Sequence, residues 1–194
     1  MEAPNKKFVE VYTESNPNPN SLKFVADVML LSEGNVDYTN IAFADNCPLA
    51  KDLFRFSFVR RVFITANFVT VTKADDIEWI EVAPMIKALI KGYLEEGKPL
   101  FTERPKIESN LETGEDEPEI VSKIKVLLDE YVRPAVESDG GAINFKSYED
   151  GIVKVSLQGS CSGCPSSTVT LKSGIENLLK RMIPEIKEVV AEGV

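Results

Sequence analysis

The chain contains no histidine. Without an imidazole there is no Ser–His–Asp or Cys–His nucleophile system, no histidine general acid or base, and no histidine metal ligand. The absence argues against an enzyme. Cysteine is scarce as well. There are three in 194 residues, an odd number, which speaks against a disulfide framework. No run of ~18 apolar residues occurs, so no membrane span is expected. The stretch from Met1 to Glu10 lacks the apolar centre of a secretory signal and the Arg-rich, acid-poor character of a transit peptide. The expected location is cytoplasmic, with an organelle matrix as the alternative if a transit peptide has been removed. Basic clusters are missing too. The densest positive pair is Arg60 and Arg61, and the formal net charge is −9. Phosphate recognition works through groups of Lys and Arg, so no nucleic-acid partner is expected.

What is present divides the chain. From Lys106 to Glu119 the composition turns acidic: Glu108, Glu112, Glu115, Asp116, Glu117 and Glu119, with no basic residue after Lys106. Such a stretch repels itself and offers little to a core, which predicts a solvated linker over 106–118. It separates a first domain, 1–105, from a second, 119–194. The fold class expected is α/β of the α+β type, as two small two-layer domains.

In the first domain, Phe8 to Thr13 and Leu22 to Val28 are expected strands around a turn at Asn16, Pro17, Asn18, Pro19 and Asn20. Pro48 suits the first turn of a helix ending near Phe54. Val59 to Thr65 and Phe68 to Thr72 predict a hairpin about Ala66 and Asn67. Asp75, with Glu78 three residues on, predicts the start of a helix that Pro84 should kink or break. Trp79, the only tryptophan, is expected in the core.

The second domain predicts the order α-β-β-α-β. Ile120, Ile124, Leu127, Leu128 and Tyr131 have helical spacing, and the helix should bend or end near Pro134. Asp139, Gly140 and Gly141 form a turn signal. Ala142 to Tyr148 and Ile152 to Leu157 pair about Glu149, Asp150 and Gly151. A helix over Ser166 to Met182 should bury Val169, Leu171, Ile175, Leu178, Leu179 and Met182. Ile186 to Ala191 supplies a last strand.

One chemical constellation stands out: Cys161-Ser162-Gly163-Cys164, between a predicted strand and a predicted helix. Gly159 and Gly163 let the backbone fold tightly. Cys164 falls at the positive end of the helix dipole, which favours the metal-binding thiolate. Three uses compete. Redox exchange fits the strand-to-helix setting but lacks the βαβ start of thioredoxin-like domains. Structural zinc and an iron–sulfur cluster both want four ligands. One chain brings two, and two chains about a two-fold axis bring four. The residues alone leave a fork: a shared four-thiolate site holding iron–sulfur or zinc, or a dithiol redox pair. A site at the domain tip is expected to be exposed. Cys47, distant and next to Pro48, is expected to be buried and inert.

The second domain resembles the NifU C-terminal, or Nfu-type, domain. The resemblance is carried by the run from Leu157 through Cys161, Cys164 and Pro165 to Leu179. Arg133, Pro134, Ala135 and Val136, followed by Asp139, Gly140 and Gly141, add to it. The first domain resembles the N-terminal Nfu module over Asn16 to Phe24, Pro48 to Ala50 and Phe68 to Lys73. The resemblance implies a non-enzymatic scaffold or carrier. Cys161 and Cys164 would hold a [4Fe–4S] cluster, or a [2Fe–2S] one, between two subunits of a homodimer. Its implied partners are upstream assembly proteins and apo iron–sulfur clients. The first domain is implied to help with partner contact. The cysteines for a second, permanent cluster are absent.

Overall fold

A computed structural model describes residues 8–103, 105, 118–162 and 165–193, the side chains of 165–168 and 193 excepted. The chain divides into two units, Met1–Ile107 and Glu108–Val194. Both combine helices with antiparallel strands, so the α+β class holds. The expected linker lies outside the described residues apart from Pro118.

The first unit is a five-stranded antiparallel sheet in the order β1-β2-β5-β4-β3, built from β1 (Val11–Ser15), β2 (Ser21–Ala26), β3 (Asn35–Tyr38), β4 (Val59–Thr65) and β5 (Phe68–Lys73). Alternate residues Phe24, Val62, Ile64, Val69 and Val71 face one side. There they pack with Leu49 and Leu53 of α1 (Pro48–Phe54) and Ile86 and Ile90 of α2 (Trp79–Glu95). The β4–β5 hairpin falls where the sequence placed it. Its turn residue Ala66 has φ 41°, and its carbonyl accepts from the Leu30 and Leu31 amides at 2.7 and 2.9 Å. Arg61 pairs with Asp37 across β4 and β3 at 3.3 Å, and Arg60 donates to the Ser57 carbonyl, so local contacts account for both arginines.

Three expectations for this unit are corrected, and one strand, β3, was not expected. Strand β1 starts at Val11, and Phe8 is 69% exposed. Strand β3 has four residues and too short a pattern to be read. Helix α2 starts at Trp79 rather than at Asp75, whose carboxylate accepts from the Asn20 side-chain amide instead of capping. Pro84 does not break α2. It lies within two turns of the start, and Ile80, whose carbonyl it would have bonded, is almost fully exposed, so water can replace the lost donor. Trp79 is half-buried against the core, its ring edge-on to Phe24 and its Nε1 donating to the Pro19 carbonyl.

The second unit opens with α3 (Glu119–Leu127), one π turn (Leu128–Val132) and α4 (Arg133–Ser138). The helical path continues past Pro134 because the widened turn precedes it and Pro134 falls in the first turn of α4. Strands β6 (Gly141–Glu149) and β7 (Ile152–Gly159) form an antiparallel hairpin. After α5 (Pro165–Met182), β8 (Glu188–Gly193) adds parallel to β7. The expected α-β-β-α-β order holds, with a three-stranded sheet β6-β7-β8.

The hairpin turn needs Asp150 at φ 51° and Gly151 at φ 87°. A Cβ on Gly151 would lie 2.8 Å from the Glu185 carbonyl oxygen. The Gly151 carbonyl accepts from the Lys187 amide at 2.7 Å, so this turn also sets where β8 begins. Ile175 and Leu179 of α5 are buried against Ile143, Val153, Val155 and Leu157. Val169 and Met182 are 66% and 50% exposed, so the predicted stripe is too wide. Glu176 fastens α5 to β8 by accepting from the Val189 amide at 3.1 Å while pairing with Lys180.

Cys47 is fully buried in the first unit, beside Tyr38. Burial pushes its thiol from 9.0 up to about 11, and the Ala50 amide and Tyr38 hydroxyl pull it down by less. Burial also raises the Tyr38 phenol. Both groups hold their protons in the fold at pH values where the unfolded chain releases them. The Cys47 contribution is complete below pH 9 and is lost as pH rises toward 11, and the Tyr38 contribution begins to fall only above pH 10. For Cys47 a shift of this size corresponds to about 2–3 kcal/mol. Denaturant titrations at a series of alkaline pH values should show this fall, and Cys47→Ala should flatten its slope.

Candidate functional site

Strand β7 delivers the chain to the cysteine loop. At its end Gly159 turns with φ 65°. The Ser160 amide donates to the Gly140 carbonyl at 3.3 Å, and the Ser162 amide to the Gly159 carbonyl at 3.2 Å. The Ser160 hydroxyl donates to the Asp139 carbonyl. The loop is thus tied to the turn that precedes β6, because Gly141 and Gly159 are cross-strand partners.

Cys161 belongs to the buried cluster of the second unit and is 6% exposed. This corrects the expectation of an exposed site. The chain closes over the thiol where β6 passes. A Cβ on Gly141 would stand 2.6 Å from the Gln158 carbonyl oxygen, 3.0 Å from Cys161 Sγ and 3.3 Å from the Cys161 amide nitrogen. The Ser160 hydroxyl lies 3.8 Å from the same sulfur. Beside the loop, Asn144 donates to Gln158 at 3.1 Å, both buried.

Cys164, the second predicted ligand, lies outside the described residues, and α5 begins at the residue after it. Among the described residues no three Cys, Asp or Glu side chains gather as a metal site. Cys47 is in the other unit, buried and protonated. The donor chemistry of the loop fits a thiophilic metal or cluster, and it is half a set of four.

Gly141, Ser160 and Gln158 were not singled out as site residues from the sequence. Gly141 read as a turn glycine. Its second role depends on the register that sets it opposite Gly159, which no local pattern reveals.

Residues 124–190 match the NifU-like domain family, and residues 11–97 match the family described as scaffold protein Nfu/NifU N terminal. Three curated relatives are similar along nearly the whole chain. The NFU1 iron-sulfur cluster scaffold homolog, mitochondrial, of Drosophila willistoni is 44% identical over 185 residues, covering 95% of this chain and 64% of that protein. Its namesake in Drosophila yakuba is 43% identical, covering 97% and 67%. NifU-like protein 4, mitochondrial, of Arabidopsis thaliana is 43% identical, covering 94% and 65%. The chain therefore spans about two-thirds of the length of these relatives. It belongs to the Nfu/NifU family, with the N-terminal Nfu module followed by the NifU-like domain.

The crowding at Gly141 gives a sharp contrast between two glycines. Gly141→Ala should push Cys161 or the Gln158 carbonyl aside and destabilise the second unit by about 1–3 kcal/mol. The same change at Gly174, within α5 and with nothing within 4 Å of an added Cβ, should stabilise it by about 0.5–1 kcal/mol. Thermal melts of both variants, with the alkylation rate of Cys161 as the local reporter, check this. Gly141→Ala should speed alkylation and Gly174→Ala should not.

Proposed function

We propose that the chain is an iron–sulfur scaffold and carrier: it holds a [4Fe–4S] cluster between two copies of itself and passes it to apo-proteins. The observation that carries this reading is the Cys161–Cys164 pair at the β7–α5 junction of a NifU-like domain. One chain supplies two thiolates to a cargo that wants four. A two-fold pair of chains completes the set. The names of the relatives, iron-sulfur cluster scaffold homologs, point the same way.

The cluster is cargo here, not a resident cofactor, and the protein is a maturation factor rather than an enzyme. Client thiolates replace those of Cys161 and Cys164 one at a time. Because Cys161 is buried, loading begins with the Ser160–Ser162 loop opening away from Gly141. The partners are a second copy, upstream assembly proteins and apo clients. Among the described residues no helix is long and apolar enough to cross a membrane. The relatives' names specify mitochondria, and the organelle matrix is the compartment this reading favours over the cytoplasm.

Anaerobic reconstitution with iron and sulfide tests the reading. It should give a broad visible absorption, about two irons per chain and a dimer, as a shared four-iron cluster requires. About one iron per chain would instead indicate a shared [2Fe–2S] cluster. Cys161→Ala and Cys164→Ala should each abolish iron uptake and cluster-dependent dimerisation while the fold persists. Undiminished cluster content in either variant would overturn the site. A readily cycled Cys161–Cys164 disulfide without iron uptake would mark a dithiol oxidoreductase, and a colourless metal-bound dimer a zinc site.

A further inference from the structure

The first unit carries an apolar surface that none of its described elements covers. Helix α2 buries Val82, Ile86, Ile90 and Tyr93. At about 100° per residue, the opposite side of its first half presents Ile80, Pro84, Met85 and Ala88. All four are exposed, Ile80 to 87% and Met85 to 45%. A lone exposed apolar residue is ordinary. Four at positions i, i+4, i+5 and i+8 form one continuous patch, the kind of surface that marks an interaction site.

The charge at one end of this patch has a single sign. Asp75, Asp76, Glu78 and Glu81 are all exposed there. The nearby cation in the sequence, Lys73, is buried, its ammonium donating to Asn20 Oδ1 and the Ala74 carbonyl. Lys87 and Lys91 lie toward the other end, where Lys91 pairs with Glu95 at 3.7 Å and sits over the Phe8 ring. One or two acids satisfy the dipole of a helix start. Four, of which three precede the helix, make an acidic collar beside an apolar stripe.

We propose that this face of α2 docks a basic amphipathic helix of another protein. The partner's apolar side would cover Ile80, Pro84, Met85 and Ala88, and its Lys and Arg side chains would meet the acidic collar. The inference rests on the carrier reading only for why the unit needs a protein partner. The surface itself is tested without any cluster.

The probe is a synthetic helical peptide with leucines on one face and lysines on the other, titrated into the cluster-free full chain. A counterpart with glutamates in place of the lysines is the control. The lysine peptide should bind, shift amide resonances over residues 75–88, and weaken as salt rises. Ile80→Ser with Met85→Ser should keep the melting temperature and weaken binding at least about tenfold, as loss of apolar anchors does. Phe43→Ser, at an apolar residue 65% exposed in the turn Ile41–Phe43, should leave binding unchanged. Equal binding of the glutamate peptide, or no effect of the double substitution, would overturn the proposal. So would a self-associated dimer that the double substitution dissolves, since a second copy would then be the occupant. Iron uptake is read separately, so either conclusion can fail while the other stands.

Discussion

Strand β7 is hydrogen-bonded on both sides, antiparallel to β6 and parallel to β8, and its alternate residues Val153, Val155 and Leu157 are fully buried. A strand fixed on two edges and one face has little freedom left in its position along the sheet. Where β7 ends, the cysteine loop begins. The register that pairs Gly159 with Gly141 also brings Gln158 and Cys161 against the start of β6. The thiol is therefore placed by the whole sheet, not by the four-residue motif that names it. The parallel partner β8 depends in turn on Gly151, whose turn carbonyl receives the Lys187 amide. Both ends of the β6–β7 hairpin thus have work beyond reversing the chain: one seats Cys161 and the other seats the strand that completes the sheet.

The proposed carrier sets two thiols of one chain against a cargo that wants four ligands, and that mismatch would have structural consequences. A closed cage in one chain would hold a cluster too firmly to release it. In the proposed carrier, half a cage would make retention depend on a second copy, so that association would set the strength of binding. The buried state of Cys161 fits this arrangement. A thiol kept inside the unit's own cluster of apolar side chains is shielded from stray metals and oxidants until the loop opens.

Much of this was legible in advance, where local chemistry decides. The β4–β5 and β6–β7 hairpins follow from strong alternation around short turns, α1 from Pro48, and the helix after Cys164 from its apolar spacing. The misreadings share a cause. Asp75 has the chemistry of a cap, but Asn20, 55 residues away in sequence, claims its carboxylate. Pro84 is a helix breaker by rule, whereas the bend or end expected near Pro134 takes the form of a π turn between α3 and α4. Water reaches the first turns of α2. Strand β3 exists because β4 offers it an edge. The burial of Cys161 is the least legible feature of the site, since it is a product of register.

The two described cysteines show how position overrides residue type. Both are buried, at 0% and 6% exposure. Cys47 stands at the start of a seven-residue helix, which by itself favours a thiolate, yet complete desolvation wins and the thiol rises to about 11. That thiol keeps its proton at neutral pH, packed at the start of α1 and beside Tyr38. Cys161 lies in the segment Ser160–Ser162 just after the end of β7, and the proposed carrier brings it to solvent by moving that segment. Of two buried thiols, the proposed carrier uses the one just beyond the end of a strand, and the one at the start of α1 serves the packing of its unit.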